Sequence, residues 1–295
     1  MLFFAGSSAQ ELVVESPELP PPLTSNCTCD EVRAWIHPDA GGVLVVQVVN
    51  SAYLRMQENF ILAMRNNTPF HTESMYLLCL DEESSTAMRD VSDVRCVDVE
   101  GLIILNMNVE ARKSVWRLRT TVAACLLEGG RDVLLSDSDA IWLKDPIEHM
   151  RNIDADVLIQ RDDWPMQPSG VAMCMGFAML RFGGQGMAKF IKVFHQSVEK
   201  TGDDQVGMNV AVTRLGIEFD HDETRSDMRN HESTGVGYGV VKNLPGNFTV
   251  ALLPHSLFPR FCTDTLVTEE TIVAHCLLRG NREKQMRSLS LWYLD

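Results

Sequence analysis

Two aspartates near the middle of the chain have the spacing of a divalent-cation site. Asp137 and Asp139 flank Ser138 and follow the apolar run 133 to 135, which predicts a short buried strand. Carboxylates one residue apart at a strand end can both reach a hard cation and leave coordination positions open for phosphate oxygens. The segment therefore predicts a metal site for a phosphate-bearing ligand.

Two other acidic pairs have the same spacing in different surroundings. The segment Asp154-Ala155-Asp156 precedes the apolar run 157 to 159, at the strand end opposite the one where open α/β sheets bind ligands. We therefore expect solvated turn residues there. The segment Asp220-His221-Asp222 lies in a charged stretch and remains a secondary metal candidate.

Strand and helix patterns alternate around the aspartates. Continuous apolar, β-branched runs such as 43 to 49 predict strands that are covered on both faces. The predicted strands are residues 43 to 49, 75 to 80, 95 to 99, 133 to 135, 157 to 159 and 177 to 180. The predicted helices are residues 52 to 66, 111 to 128, 185 to 200, 203 to 215 and 281 to 292. This order favours right-handed βαβ units and an α/β fold with a mostly parallel, Rossmann-like central sheet flanked by helices.

The length fits a single domain with an N-terminal extension. With 295 residues, of which 45% are hydrophobic and 22% charged, the chain has enough apolar material for a sizeable core. Residues 1 to 40 include a proline-rich segment and are predicted as a stem or linker, and residues 41 to 295 as the folded domain. The polar, glycine-rich residues 220 to 247 predict a mobile loop over a site.

The charge of the chain restricts its partners. A net charge of −14 excludes a free nucleic-acid binder, because such proteins need lysine and arginine to neutralise phosphates. An anionic ligand bound to so acidic a chain needs a local positive charge, which a divalent cation supplies. No stretch approaches the roughly 20 apolar residues of a membrane span, so any membrane anchor is expected upstream of this chain.

The eight cysteines are too scattered to predict a disulfide scaffold or a zinc cluster. Cys79 lies in an apolar run and is predicted to be a buried free thiol. Three glycosylation sequons begin at Asn26, Asn66 and Asn247 and favour a secretory route.

Several further motifs follow in a fixed order along the chain. They are Asn50-Ser51-Ala52-Tyr53, Leu80-Asp81-Glu82-Glu83, Cys174-Met175-Gly176, Asp203-Asp204-Gln205 with Asn209, and His275 with Gly280 and Lys284. Read individually, they have ordinary interpretations as a turn, a helix aromatic, helix-capping acids or a buried core histidine. Together with the aspartate segment, they resemble the retaining glycosyltransferases of family 77, nucleotide-diphospho-sugar transferases that include plant cell-wall enzymes.

The resemblance extends from about residue 43 to residue 295 and implies a GT-A-type fold related to that of glycogenin-like enzymes. It implies a UDP-sugar donor held through Mn²⁺ or Mg²⁺, a glycan or glycoprotein acceptor, and transfer with retention of anomeric configuration. A location in the Golgi lumen, as a type II membrane protein, follows from the same resemblance.

The resemblance also assigns donor contacts along the sequence. Asn50 is expected to hydrogen-bond the uracil, Tyr53 to stack on it, and Asp81 to lie near the ribose. Arg119 stands where the family places a donor-binding lysine, and Gly176 is expected to let the backbone approach the sugar. The remaining donor-binding positions are Ser138 and Asp137, Asn209 on the same helix face as Gln205, and Gly280 and Lys284 near the diphosphate.

The predicted catalytic residues are Asp204 and Gln205, which would hold the transferred sugar or stabilise positive charge at its anomeric carbon. The resemblance makes His275 the third metal ligand beside Asp137 and Asp139. An imidazole with two carboxylates suits Mn²⁺ better than Mg²⁺.

Departures from the family pattern leave two other functions open. Cys174 and Leu277 stand in place of asparagines, and Arg119 stands in place of a lysine. One alternative is a catalytically silent protein that binds sugar nucleotides or carbohydrates. The other is a haloacid-dehalogenase-like phosphohydrolase with Asp137 as its nucleophile, although that motif normally sits on the first strand.

Overall fold

The computed structural model describes residues 23–24, 26–36, 42–68, 74–92, 94–99, 109–162, 171–219, 235–260, 262, 267–276 and 281–295. Strands and helices alternate through the first half of this part of the chain, as the sequence predicts. Within the described ranges, no helix combines the length and the apolar character needed to cross a membrane.

A mixed sheet forms the centre of the fold. The strands are β1 Leu44–Val49, β2 Met75–Cys79, β3 Arg95–Asp98, β4 Val133–Ser136, β5 Ala140–Trp142, β6 Val157–Asp162, β7 Ala172–Leu180, β8 Ile217–Phe219, β9 Gly237–Val241, β10 Thr249–Leu253 and β11 Val273–His275. The central sheet has the order β3-β2-β1-β4-β7-β6-β10-β9-β8. Within it, β7 and β9 run against the other strands, so the predicted mostly parallel sheet is confirmed.

Helices cover both faces of the sheet. They are α1 Cys29–Trp35, α2 Leu54–Asn67, α3 Glu82–Arg89, α4 Val109–Glu128, α5 Pro146–Arg151, α6 Gly184–Thr201, α7 Asp204–Arg214 and α8 Arg282–Ser288, with a 3₁₀ turn at Ser51–Tyr53. Alternate residues of β1 enter two separate apolar cores, Val46 on the side of α4, α6 and α7 and Val45 on the side of α2. A strand covered on both faces explains the continuous apolar run in its sequence.

Strand β7 is inserted between two strands that run the other way. It pairs antiparallel with β4 and with β6, and all of its side chains are buried. Because β7 is antiparallel, its early residues Cys174 and Gly176 lie beside the carboxyl ends of its neighbours. The apolar pattern alone predicted a strand for residues 177 to 180, and the family resemblance extended it to residue 174, whereas β7 begins at Ala172.

A short two-stranded ribbon lies outside the central sheet. Strands β5 and β11 pair antiparallel, with His275 opposite Ala140. Since Ala140 directly follows Asp139, this pairing places a residue from the end of the chain beside the central aspartates.

Part of the predicted N-terminal extension packs on the domain. Leu23 forms a bridge to Val99, and Val32 of α1 is fully buried in the core next to α4. Ordered structure thus begins before residue 41, the predicted start of the folded domain. The proline-rich residues 1–22 lie outside the described residues, so a stem there stays a prediction.

Two predictions about loops need correction. Residues 237–241 form strand β9 rather than part of a loop, because they pair with β10. Residues 220–234 of the predicted loop lie outside the described residues. They include the secondary metal candidate Asp220-His221-Asp222. Asp154 is exposed as expected, but Asp156 is half-buried and accepts a hydrogen bond from the backbone N–H of Thr249 at 2.8 Å, which joins β6 to β10.

The prediction that Cys79 is a free thiol is wrong. Cys79 and Cys96 lie on the neighbouring strands β2 and β3 and form a disulfide. Two further disulfides join Cys29 to Cys125 and Cys262 to Cys276. Cys27 and Cys174 are free and buried.

Candidate functional site

A cavity of about 420 Å³ opens at the carboxyl ends of the parallel strands. It is lined by the Asp137-Ser138-Asp139 segment after β4, by Asn50 after β1, and by His275 from the ribbon. Helices α4 and α7 form another wall of the same cavity. The sequence therefore placed the site at the correct end of the sheet, as expected for open α/β folds.

Three of the predicted metal ligands converge in this cavity. Asp137, Asp139 and His275 each offer one ligand atom, and these atoms lie within 4.8 Å of one another. The His275 Nε2 atom lies 3.3 Å from Asp139 Oδ1 and 3.9 Å from Asp137 Oδ2. Two carboxylate oxygens and an imidazole nitrogen form a suitable donor set for Mn²⁺.

Gln160 determines which imidazole nitrogen of His275 faces the acids. Its amide nitrogen donates to the backbone carbonyls of Phe258 and Pro259 at 3.1 and 3.0 Å, so its amide oxygen is directed at His275. That oxygen lies 2.8 Å from His275 Nδ1, which must then carry a proton and donate. Such a hydrogen bond leaves Nε2 as the ligand atom, an arrangement common behind metal-binding histidines.

The electrostatics of His275 and Asp139 depend on each other. Burial and the charge of Arg260 lower the pKa of His275, but the charge interaction and hydrogen bond of the Cys174 sulfur and the hydrogen bond of Asp139 outweigh them and raise the pKa to about 10. Burial raises the pKa of Asp139, yet the hydrogen bond and charge of His275 outweigh this and hold it below its usual range. A cation at Nε2 must displace a proton, so cation binding is linked to pH.

Gly176 makes room for His275. A Cβ atom at Gly176 would lie only 2.7 Å from both ring nitrogens of His275, closer than real side chains approach. The backbone carbonyl of Gly176 also accepts a hydrogen bond from the Asp137 N–H at 2.8 Å. Gly176 also lines the cavity, and the predicted approach of a sugar to its backbone stays a prediction.

Arg119 lies beneath the acids and joins two of them. Its side chain is 1% exposed, and its Nη1 atom lies 3.1 Å from both Asp137 Oδ1 and Asp204 Oδ2. Its Nη2 atom donates to the Met175 carbonyl at 3.2 Å. The family lysine at this position was expected to touch the donor, but the described contacts of this guanidinium tie α4 to β4 and α7.

The two predicted catalytic residues both line the cavity. Burial raises the pKa of Asp204 to about 7, against the opposing effect of Arg119. The Gln205 amide nitrogen donates to Asp162 Oδ2 at 2.6 Å, and Arg260 Nε lies 3.3 Å from the other oxygen of the same carboxylate. Asp162 at the end of β6 therefore orients both Gln205 and Arg260.

A second group of residues lines the cavity on the far side of Asp139. Asn50 and Tyr53 lie there as predicted, together with Arg282 at the start of α8. Arg282 Nη1 is 3.4 Å from both Asp139 Oδ2 and the Tyr53 hydroxyl, and its guanidinium lies 5.5 Å from the centre of the Tyr53 ring. The sequence analysis did not identify Arg260 or Arg282.

Asp81 supports this side from outside the cavity. It caps α3 by accepting from Ser84 N–H at 2.8 Å, and its other oxygen accepts from both the N–H and the hydroxyl of Ser51 at 2.9 Å. Burial raises the pKa of Asp81, but these hydrogen bonds outweigh it and hold the pKa below its usual range. The helix-cap interpretation is what the structure supports, and the ribose contact stays a prediction.

The remaining predicted residues have other positions. The Asn209 side chain accepts from the Met173 N–H and donates to the Met173 carbonyl, both at 2.9 Å, so it fastens α7 to β7. Lys284 is exposed on α8 and is not among the described residues that line the cavity. Gly280 lies outside the described residues.

A comparison with protein families identifies the family to which this chain belongs. A family described as nucleotide-diphospho-sugar transferase matches residues 71–287, which include both aspartates and His275. The chain belongs to this family. Membership in the narrower family 77 stays a prediction, and no curated protein gives a significant match.

Solved structures similar to this member of the transferase family include three glycosyl-transferring proteins. Mouse xyloside xylosyltransferase 1 is 11% identical, with 75% of this chain and 88% of that chain covered and a TM-score of 0.43. The bifunctional glycosyltransferase WbbM is 13% identical, with 58% and 37% covered and a TM-score of 0.41. The glycosyltransferase GlyE of Streptococcus pneumoniae is 18% identical, with 58% and 43% covered and a TM-score of 0.38. The chain thus spans less than half the length of WbbM and GlyE.

Proposed function

We propose that this protein transfers a sugar from a UDP-sugar to a glycan or glycoprotein acceptor in an Mn²⁺-dependent reaction that retains the anomeric configuration. The convergence of Asp137, Asp139 and His275 in a cavity of a nucleotide-diphospho-sugar transferase supports this proposal. The Gln160 hydrogen bond behind His275 supports it further, because a buried core histidine does not require an Nε2 atom directed at two carboxylates.

In the proposed reaction, the bond between the anomeric carbon and the β-phosphate oxygen breaks, and both electrons leave with UDP. The acceptor hydroxyl oxygen bonds to the anomeric carbon, and its proton passes to the departing β-phosphate oxygen of UDP. Asp137, Asp139 and His275 would hold the cation, which would supply positive charge to the diphosphate. The protein's other residues position the donor and stabilise the charges that develop on it.

Arg282 is the residue we propose for the diphosphate in place of Lys284. It contacts both Tyr53, on the proposed uracil side, and Asp139, at the cation centre. In a nucleotide sugar, the diphosphate connects the nucleoside to the sugar. It must therefore lie between the uracil at Tyr53 and the cation at Asp139. A guanidinium there can donate two parallel hydrogen bonds to a phosphate.

Asp204 and Gln205 are the residues we propose next to the transferred sugar. Both line the cavity on the α7 side, and Asp204 is linked to Asp137 through Arg119. An ionised Asp204 stabilises positive charge at the anomeric carbon, and Gln205 offers its amide oxygen while its nitrogen is held by Asp162.

The family match argues against a haloacid-dehalogenase-like phosphohydrolase. The position of the acids supports this, since three strands of the sheet precede β4 in the chain. A catalytically silent binding protein remains the alternative that an assay must exclude.

The test is UDP release from a panel of UDP-sugars with Mn²⁺, with and without chelator. We expect release that depends on metal and falls at least about a hundredfold in Asp139→Asn. Asp145→Asn is the matched control, because Asp145 is an N-cap residue of α5 that is not among the residues described at the cavity. Donor binding without turnover by the wild type would overturn the proposed activity, and hydrolysis of simple phosphate esters would favour the phosphohydrolase.

We also propose a location in the Golgi lumen, as a type II membrane protein. The disulfides Cys29–Cys125, Cys79–Cys96 and Cys262–Cys276 support it, because disulfides persist in the secretory pathway and are rare in reducing compartments. Fractionation of the native protein tests this, and recovery in the cytosol with reduced cysteines would contradict it.

A further inference from the structure

Two aromatic residues line the cavity, and each is linked through an arginine to a different acid of the proposed cation centre. Tyr53 lies under Arg282, which pairs with Asp139. Trp116 of α4 lies under Arg119, which pairs with Asp137. The distances from guanidinium carbon to ring centre are 5.5 Å for Tyr53 and 5.8 Å for Trp116. The cavity therefore contains two similar aromatic–arginine pairs.

The proposed function uses only one of these two aromatic–arginine pairs. The uracil and diphosphate of the donor account for Tyr53 and Arg282. Trp116 is half-buried and lines the cavity although one side of its ring rests on Arg119. The second substrate must reach the anomeric carbon from the part of the cavity that the nucleoside does not occupy.

The surroundings of Trp116 favour a carbohydrate. Arg112, one turn earlier on α4, and Asp203, the N-cap residue of α7, line the cavity with it, and Val206 is 39% exposed. Sugar rings present an apolar C–H face that packs on an aromatic ring and hydroxyl groups that bond to charged side chains at its edge. An aromatic surface flanked by a cation and a carboxylate satisfies both requirements.

We propose that Trp116 forms the acceptor subsite and that the acceptor is a saccharide whose ring packs on its indole. This inference rests on the proposed transferase activity. It assigns α4 and Asp203, the N-cap residue of α7, to the acceptor, and the 3₁₀ turn and α8 to the nucleotide. Asp204 and Gln205 remain assigned to the transferred sugar. A bare peptide hydroxyl has no ring to place on the indole, so a peptide is the competing acceptor class.

The experiment compares acceptors and tryptophan variants in the full chain with Mn²⁺ and the UDP-sugar that wild type hydrolyses best. The acceptors are p-nitrophenyl monosaccharides, including xylosides, galactosides and arabinosides, and serine- and threonine-containing peptides without sugar. We expect saccharides to increase UDP release saturably and peptides to have no effect. Preference for the unglycosylated peptides would overturn the inference.

The variants are Trp116→Ala and Trp116→Phe, with Trp35→Phe as the control. Trp35 is also half-buried but lies on α1, away from the residues described at the cavity. We expect Trp116→Ala to raise the KM of the saccharide about tenfold, or about 1.4 kcal/mol, and Trp116→Phe to raise it less because a ring remains. The KM of the UDP-sugar should stay within about twofold.

Two failures can be distinguished. If wild type releases no UDP from any donor, the proposed activity fails. If UDP is released but Trp116→Phe changes the KM of the UDP-sugar as much as that of the saccharide, the ring serves the donor and the acceptor subsite is wrong. Circular dichroism and the Tm of each variant show whether Trp116→Ala is still folded. If it is not, the KM values of Trp116→Phe decide whether the ring serves the donor or the acceptor.

Discussion

The backbone of Gly176 lies against the imidazole of His275, and only the absence of a side chain at Gly176 permits this contact. The same residue accepts a hydrogen bond from Asp137 through its carbonyl. One glycine of β7 thus fits between Asp137, which follows β4, and His275 of β11, two of the three proposed cation ligands.

Replacing this glycine should remove the cation site without removing any ligand. In Gly176→Ala, the added methyl group overlaps the ring of His275, so Nε2 moves away from the acids. We expect Mn²⁺ affinity to fall at least about tenfold, as measured by calorimetry. Gly129→Ala is the control, because its Cβ would lie no nearer than 3.3 Å to another residue, outside the cavity. Equal affinities of Gly176→Ala and wild type would show that His275 is not a ligand.

The role of Gln160 can be tested separately from that of the ligands. Gln160→Leu removes the acceptor for His275 Nδ1–H, so the imidazole loses its fixed tautomer and orientation. We expect Mn²⁺ to bind about 10 to 100 times more weakly. Asn59→Leu also removes a buried amide that bonds a backbone carbonyl, but at Leu291 near the C-terminus. That control should lower the free energy of unfolding while leaving the Mn²⁺ affinity of the folded protein unchanged.

Two basic residues on α8 allow a direct comparison. Arg282→Gln removes the cation between Tyr53 and Asp139 and should raise the KM of the UDP-sugar about tenfold or more. Lys284→Gln removes an equal charge from an exposed position two residues later, and we expect less than a twofold change. Steady-state kinetics of UDP release measure both. A larger effect at Lys284 would restore the assignment that the sequence suggests.

Asp204 should make the stability of the chelated protein depend on pH. Burial raises its pKa in the folded state to about 7, above the roughly 3.9 of an unfolded chain. The folded state therefore binds more protons between these values, and this contribution to stability is lost as the pH rises towards 7 and above. Asp204→Asn stays neutral at every pH.

Urea unfolding in the presence of chelator at pH 5, 6.5 and 8 measures this difference. We expect Asp204→Asn to gain stability relative to wild type between pH 5 and pH 8, on the order of 2 kcal/mol. Asp145→Asn, at an N-cap of α5, should follow the wild-type profile over this range. Parallel profiles for wild type and Asp204→Asn would contradict a raised pKa at Asp204.

The sequence predicted the acids and the imidazole of the site but not the residues that hold them. Asp137 and Asp139 are recognisable because two acids directly follow an apolar strand, and that local pattern needs no knowledge of the fold. Gln160 reaches His275 from β6, 115 residues away in the chain, and Arg260 reaches it from a segment 15 residues away. An isolated glutamine or arginine has no periodic signal. Only the family resemblance singled out His275, and only pairing of β11 with β5 explains its position.

The same distinction applies to the fold. The continuous apolar runs of β1, β2 and β4 predicted strands because both of their faces are covered. Strand β9 was assigned to a loop because it lies in a polar, glycine-rich stretch of the sequence, and pairing with β10 defines it. The Cys79–Cys96 disulfide was missed because it depends on which strands are neighbours.

The ribbon of β5 and β11 also determines when, during synthesis of the chain, the three proposed cation ligands can come together. During synthesis, Asp137 and Asp139, which follow β4, leave the ribosome before His275 of β11 does. The nascent molecule can assemble much of its sheet and still be unable to hold the ion with all three ligands. On the proposed cation site, a premature stop codon before residue 275 would therefore yield a fragment that lacks the third ligand.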